Sequence, residues 1–238
     1  TSGAKTIRDL SNKNNCCIPW ILLIETDKQH SKRTADIIKQ AKELGIYIFS
    51  IVDRKLCDET IEIIRANKDC AFILFTDAAT VSYKTIGMFD DIKNILLSIR
   101  GTKNELSAAA DILRENHKFF AVYVPYDDEN YRDIFTEETL NYFEDYTETF
   151  LFCMPIKKCS TETFDYMKTN AKIVRDEQKH AYVFMDVYND TLVIDKMISG
   201  NGCSALIDIN GYFYSNKVEF AKYNINDLSL LDIFKKMK

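Results

Sequence analysis

Trp20-Ile21-Leu22-Leu23-Ile24-Glu25-Thr26-Asp27 (WILLIETD) is an unbroken apolar run that ends in two acids flanking a threonine. A strand with one wet face alternates apolar and polar residues. A strand covered on both faces does not, and it is at home inside a parallel sheet. The run therefore predicts an inner parallel strand with Glu25, Thr26 and Asp27 at its carboxyl end.

Further runs of the same kind follow at Ile46–Val52, Ala71–Thr76, Lys118–Tyr126, Thr149–Ile156 and Ala181–Asn189. Between them apolar residues return every three or four positions. Ala35, Ile38, Ala41 and Leu44 form one such stripe; Phe89, Ile92, Leu96 and Ile99 a second. Leu106, Ala110 and Leu113, then Leu140, Phe143 and Tyr146, then Phe164, Met167, Ala171 and Val174 continue the pattern. Each stripe predicts a helix packed by one face on the sheet. Thr136 before Glu137 and Glu138, and Ser229 three residues before Asp232, are helix-start signals. Strand and helix in alternation predict a doubly wound sheet or a (β/α) barrel.

The tail differs. Asn210-Gly211 between Ala205–Ile209 and Tyr212–Ser215 is a hairpin signal, followed by a terminal helix. The expected division is a partial barrel core over 1–190 and an extension over 191–238. Trp20–Ile24 presents a problem, because few residues precede it to cover an apolar edge. A further N-terminal strand, a second chain, or a copy of this chain is expected to pair there.

Bulk properties exclude several classes. With 46% hydrophobic residues over 238 positions, a sizeable core is available. The formal net charge of −5 argues against a nucleic-acid surface. No apolar run approaches the roughly 20 residues of a membrane span, and no basic-then-apolar leader opens the sequence. TSGAK at the start reads as a tag scar, a processed end or the start of a fragment. Seven cysteines, odd in number and without a C-x-x-C, predict reduced thiols and a cytoplasmic location.

In parallel α/β folds ligands bind at the carboxyl ends of strands. The candidates there are Glu25, Thr26 and Asp27, then Asp53 with Arg54, then Asp77, then Asp127 with Asp128, and Lys157 with Lys158. Such an acidic rim suits an amine or a cation such as Mg²⁺ better than a phosphate. The same acids also serve as turn and cap residues. His30, His117 and His180 form no recognisable spacing with a partner, and no phosphate-binding or nucleophile motif is present.

The order of blocks resembles the radical S-adenosylmethionine (radical SAM) enzymes that carry a SPASM or twitch-type C-terminal extension. Trp20–Asp27 lies where the family has a strand ending in GGEP. Ile46–Leu56 (IYIFSIVDRKL) resembles the strand ending in T-N-G, and Asp69–Asp77 (DCAFILFTD) the strand ending in S-L-D-G. Ile99–Tyr126 resembles R-G, helix and strand. Gly202–Asn216 (GCSALIDINGYFYSN) resembles the extension's cysteine and hairpin, and Asp227–Lys238 its closing helix.

The departures fall on the chemistry. The resemblance implies a [4Fe–4S] cluster held by C-x-x-x-C-x-x-C, which is absent here. GGEP is replaced by Ile24-Glu25-Thr26-Asp27, and T-N-G by Val52-Asp53-Arg54. Cys203 remains only as a remnant ligand position, because the later P-C is Ser215-Asn216. The resemblance thus implies a catalytically degenerate binding or partner subunit with no cofactor of its own. It would bind a protein or peptide, or itself through Trp20–Ile24. A fragment of an active enzyme, with S-adenosylmethionine and the cluster motif upstream, is the alternative. An unrelated α/β enzyme using the acidic rim is the third reading.

Overall fold

The computed structural model describes residues 2–147, 149–200, 202–216 and 218–237. Along the chain come α1 (Ser2–Asn14), β1 (Ile21–Glu25), α2 (Ser31–Glu43), β2 (Ile48–Val52), α3 (Asp58–Ala66) and β3 (Ala71–Asp77). Next are α4 (Tyr83–Gly87), β4 (Ile95–Arg100), α5 (Lys103–Glu115), β5 (Phe120–Tyr126), α6 (Glu137–Glu144) and β6 (Phe150–Pro155). The chain ends with α7 (Thr161–Glu177), β7 (Val183–Asp186), α8 (Val187–Ile198), β8 (Leu206–Ile207), β9 (Tyr212–Ser215), β10 (Val218–Asn224) and α9 (Leu230–Lys236). The fold is α/β: a partial (β/α) barrel of mainly parallel strands with alternating helices, carrying a C-terminal antiparallel hairpin and a helix.

Two compact units divide the chain. The first holds Thr1–Leu74, Met88–Ile95 and Thr191–Lys238; the second holds Phe75–Gly87 and Leu96–Asp190. Residues 191–238, expected as a separate extension, share the first unit with the N-terminal βα segments.

In the first unit β1 lies between β2 and β8, parallel to both. Ile21 to Glu25 run beside Ile48 to Val52, and Leu23 and Ile24 beside Leu206 and Ile207. The expectation of an open edge at Trp20–Ile24 is therefore corrected: the chain's own β8 fills it. The partner strand is only two residues long, which is why its sequence gave little sign of that role. The hairpin of β8 and β9 forms as read, with Gly211 at φ +88° in the turn, a conformation glycine adopts without a Cβ penalty. A further strand, β10, pairs with β9. α2 buries Thr34, Ile37, Ile38 and Ala41, one helical face. Phe213 of β9 meets Phe234 of α9 edge-on at 5.6 Å, tying the hairpin to the closing helix. Ser229 caps α9 by accepting the amide of Asp232.

The second unit has β4, β5, β6 and β7 in parallel order. Its core centres on Phe75, which makes edge contacts with Tyr123 at 5.1 Å and Phe152 at 5.7 Å. Each such pair contributes about 0.5–1.5 kcal/mol beyond area burial. Thr136 caps α6 as read, accepting the amide of Thr139.

Two expectations fail locally. The stripe Phe89, Ile92, Leu96, Ile99 is not a helix; its second half is β4. Ile95-Leu96-Leu97-Ser98-Ile99 is a short apolar stretch interrupted only by the buried Ser98, and the three- and four-residue spacing from Phe89 to Ile99 is coincidental. The run Ala181–Asn189 is a strand only to Asp186, where α8 begins.

Candidate functional site

At the strand ends of the first unit, the acids are taken up by backbone and side-chain donors of the same unit. Glu25 Oε2 accepts the amide of Ile209 at 3.3 Å, so it serves the hairpin. Thr26 is buried, its hydroxyl 2.7 Å from that of Thr34. Asp27 caps the turn before α2, accepting the His30 amide at 3.0 Å and contacting its ring nitrogen at 2.7 Å. Partial burial pushes the Asp27 carboxyl up, but the His30 contacts outweigh it and hold the group below its ordinary value.

Asp53 goes further in the same direction. It is 1% exposed, and its carboxylate accepts the amides of Lys55 (3.1 Å) and Cys57 (2.9 Å) and the hydroxyl of Thr60 (2.6 Å). With the Cys57 thiol at 3.6 Å as a fourth, weaker donor, the carboxylate is fully engaged, and these bonds fix the turn from β2 into α3.

Asp195 of α8 had no sequence signal beyond being one acid in an apolar helix. It is fully buried and accepts the amides of Trp20 (3.0 Å) and Cys203 (2.7 Å) and the hydroxyl of Ser199 (2.6 Å). It thus joins the entry to β1 with the segment leading to β8. Burial raises its carboxyl above the ordinary range. Cys203 is itself fully buried beside it.

In the second unit, Asp127 accepts the Glu129 amide at 2.9 Å and pairs with Lys157 at 3.0 Å, and these lower its pKa in that order. Asp128 accepts the Thr163 hydroxyl at 2.6 Å and the Ser160 amide at 2.9 Å, capping the entry to α7. Asp77 behaves differently. Its Oδ1 accepts Arg100 Nε at 2.8 Å at the mouth of a cleft of about 450 Å³.

The cleft opens at the carboxyl ends of β3, β4 and β5. Its polar lining is Asp77, Arg100, Thr102, Glu105 and Tyr123, with Glu105 Oε2 held by the Thr102 amide and hydroxyl, and Leu106, Val124 and Phe143 are apolar. Arg100 lies 5.6 Å over the Tyr123 ring. Burial alone would lower the guanidinium pKa, but the Asp77 bond overrides it and the net shift is upward. With Nε committed to Asp77, the Nη groups have no hydrogen-bond partner among the described residues. Gly101 lets α5 start against this wall, since a Cβ there would sit 2.9 Å from Glu105 Oε2 and 3.1 Å from Ala78 Cβ. A positioned guanidinium beside an apolar wall is suited to a carboxylate on an apolar body.

A second buried group is Asp186, at the end of β7. Its carboxylate accepts the Tyr126 hydroxyl (3.1 Å), the Tyr188 amide (3.2 Å) and the Asn189 carboxamide. Burial raises its pKa to about 6. The sequence reading ran the strand on to Asn189, which hid this residue as another strand-end acid.

The described residues do not fit an iron–sulfur cluster. Nowhere among them do three His, Cys, Asp or Glu side chains gather as a metal site needs. Burial pushes the thiols of Cys70 and Cys159 up to about 11, and that of Cys153 well above its ordinary value. A cluster ligand has to be a thiolate. The rim acids Glu25, Asp27, Asp53, Asp77 and Asp127 are likewise not brought together as a cation site.

The strand order, the helices between strands and the C-terminal hairpin define a radical-SAM-like fold. Two solved structures of SuiB from Streptococcus suis carry the likeness. One, bound to S-adenosylmethionine, is 14% identical with a TM-score of 0.64, covering 94% of this chain and 68% of SuiB. The other is 13% identical with a TM-score of 0.65, covering 97% and 69%. No family model and no curated protein sequence matches the chain.

Proposed function

We propose that the chain is a binding subunit on a radical-SAM-like scaffold whose cluster chemistry has been lost. Its ligand site is the Arg100–Asp77 cleft. The observation that carries this reading is Arg100: a half-buried guanidinium, fixed through Nε by Asp77, with its remaining donors turned to a cleft rather than to a cap. The strand-end acids Asp27 and Asp53 are taken up by their own turns, which supports loss of the family's chemistry at those positions; Asp127 and Asp128 are taken up by Lys157 and by the entry to α7. The ligand is a carboxylate-bearing molecule with an apolar part. S-adenosylmethionine, which SuiB binds, is the first to test. Tyr212 and Tyr214, both more than 40% exposed on the hairpin, support a protein or peptide partner there.

Titration calorimetry with S-adenosylmethionine tests the site. Arg100→Gln is expected to weaken binding about tenfold, the worth of a charged hydrogen bond; unchanged affinity would remove the cleft from consideration. Anaerobic reconstitution with iron and sulfide tests the loss of chemistry, and a stoichiometric cluster with S-adenosylmethionine cleavage would overturn it. A second reading, part of a longer active enzyme, draws support from the roughly one third of SuiB that the chain leaves uncovered.

A further inference from the structure

A second cleft, of about 440 Å³, lies within the first unit, between α2 with the turn before it and the loop joining β10 to α9. Its composition is the reverse of the acidic rim. Lys32 and Arg33 contribute two cations, and Gln29, Gln40 and Asn226 three carboxamides; Asp36 is its one carboxylate.

The donors are held by specific contacts. Arg33 Nη2 donates to the Ile209 carbonyl oxygen at 2.5 Å, which anchors the guanidinium to the hairpin turn and leaves Nη1 and Nε without a hydrogen-bond acceptor among the described residues. Gln40 Oε1 accepts the amide of Leu230 at 2.8 Å, so its NH₂ is the end left to donate. Asn226 Nδ2 and Arg33 Nη1 lie 3.0 and 3.2 Å from where a Cβ on residue 211 would stand. Asn224 Oδ1 lies 2.9 Å from the same point, so Gly211 leaves the room that all three side chains occupy. Burial lowers the Arg33 pKa, against the pull of Asp208 and Asp27 at longer range. Those two acids are occupied elsewhere, Asp208 by the amides of Asn210 and Tyr212 and Asp27 by His30. Neither Lys32 nor Arg33 has an ion-pair partner among the described residues.

A protein of net charge −5 that keeps a partly buried guanidinium and a neighbouring ammonium without a direct ion pair among the described residues, beside amide donors and a single lining carboxylate, Asp36, has the makings of an anion site. We propose that this cleft binds an oxyanion ligand carrying more than one negative charge, a phosphate ester or a polycarboxylate. Lys32 and Arg33 supply the charge. Gln40 and Asn226 supply directional donors, and Ile37 and Ile225 the apolar floor.

The test is a titration of the ¹⁵N-labelled full chain, followed by NMR, with inorganic phosphate in one arm and citrate in the other. Sodium chloride at matched ionic strength is the reference. Saturable shifts of the Gln40 and Asn226 side-chain NH₂ groups and the Gly211 amide with one probe support the proposal and tell phosphate from carboxylate. Lys32→Gln, which touches no backbone contact, is expected to weaken that binding about tenfold. Arg33→Gln should weaken it at least as much, while also loosening the hairpin turn. Shifts no larger than with chloride in either arm, or a Lys32→Gln variant that binds like the parent, would overturn the proposal.

Discussion

Asp186 allows a quantitative test of the second unit. Its carboxyl has no exposed surface and three donors, from Tyr126, Tyr188 and Asn189. Nearby are Asp190, which is held by Arg175 at 2.7 Å, and the buried Cys153, whose thiol is pushed up partly by the Asp186 charge. Burial outweighs the donors and lifts the Asp186 pKa from 3.8 to about 6. The folded state therefore holds a proton that the unfolded chain has released over that interval. Stability contributed by this carboxyl is fully present below the unfolded value and is lost as pH rises through the folded one. At about 1.4 kcal/mol per pH unit, the full effect is roughly 3 kcal/mol. In Asp186→Asn the titration disappears. The variant places an NH₂ against the Asn189 donor, which also serves the Phe164 carbonyl, a pH-independent cost of about 1–3 kcal/mol. The slope is therefore the quantity to read. Parent-minus-variant stability should fall by roughly 2–3 kcal/mol between about pH 4 and about pH 7. Urea unfolding followed by far-UV circular dichroism measures it, because the only tryptophan, Trp20, lies in the first unit. A difference that stays level to within about 0.5 kcal/mol across that range would refute the reasoning, showing that the three donors cancel the burial penalty.

Three shorter predictions follow from the other buried groups. Asp53→Ala removes the acceptor of three donors and should cost about 2–4 kcal/mol in urea unfolding, with ligand affinity of the Arg100 cleft unchanged; loss of binding at full stability would restore Asp53 as a ligand group. Asp195→Ala leaves the amides of Trp20 and Cys203 without an acceptor, and faster amide hydrogen exchange at Leu23 and Ile207 should report loosening of the β1–β8 pair; protection equal to the parent would contradict that role. Phe234→Ala should cost about 3–5 kcal/mol and expose the hairpin to proteolysis before the βα segments. Simultaneous cleavage of both would show that α9 does not hold the hairpin on its own.

The parallel strands were legible because burial on both faces leaves a compositional trace: β1, β2, β3, β5 and β6 each coincide with an apolar run. β4 was misread because Leu96 and Ile99 also satisfy a helical spacing with Phe89 and Ile92, and periodicity cannot separate the two in a short apolar stretch. β8 is two residues long and was legible only as one arm of the hairpin, not as the partner of β1, yet it decides whether β1 is an edge. The caps at Thr136 and Ser229 and the turn at Gly211 were legible because local backbone geometry demands those residue types.

The site was less legible because sequence position does not reveal what a carboxylate accepts. Asp53 and Asp77 both end a parallel strand, both precede a helical turn, and are equivalent in sequence terms. Asp53 is engaged by the amides of Lys55 and Cys57, the Cys57 thiol and the hydroxyl of Thr60, so its charge is spent inside its own loop. Asp77 meets Arg100, a side chain 23 residues on, and the pair leaves donors directed at a cleft. The difference arises from whether the following residues offer donors at short range: Lys55, Cys57 and Thr60 do, whereas Ala78 and Ala79 bring no side-chain donor. A strand-end acid followed by alanines, with an arginine ending the adjacent strand, is thus the pattern that separates a cleft-lining carboxylate from a cap in this chain.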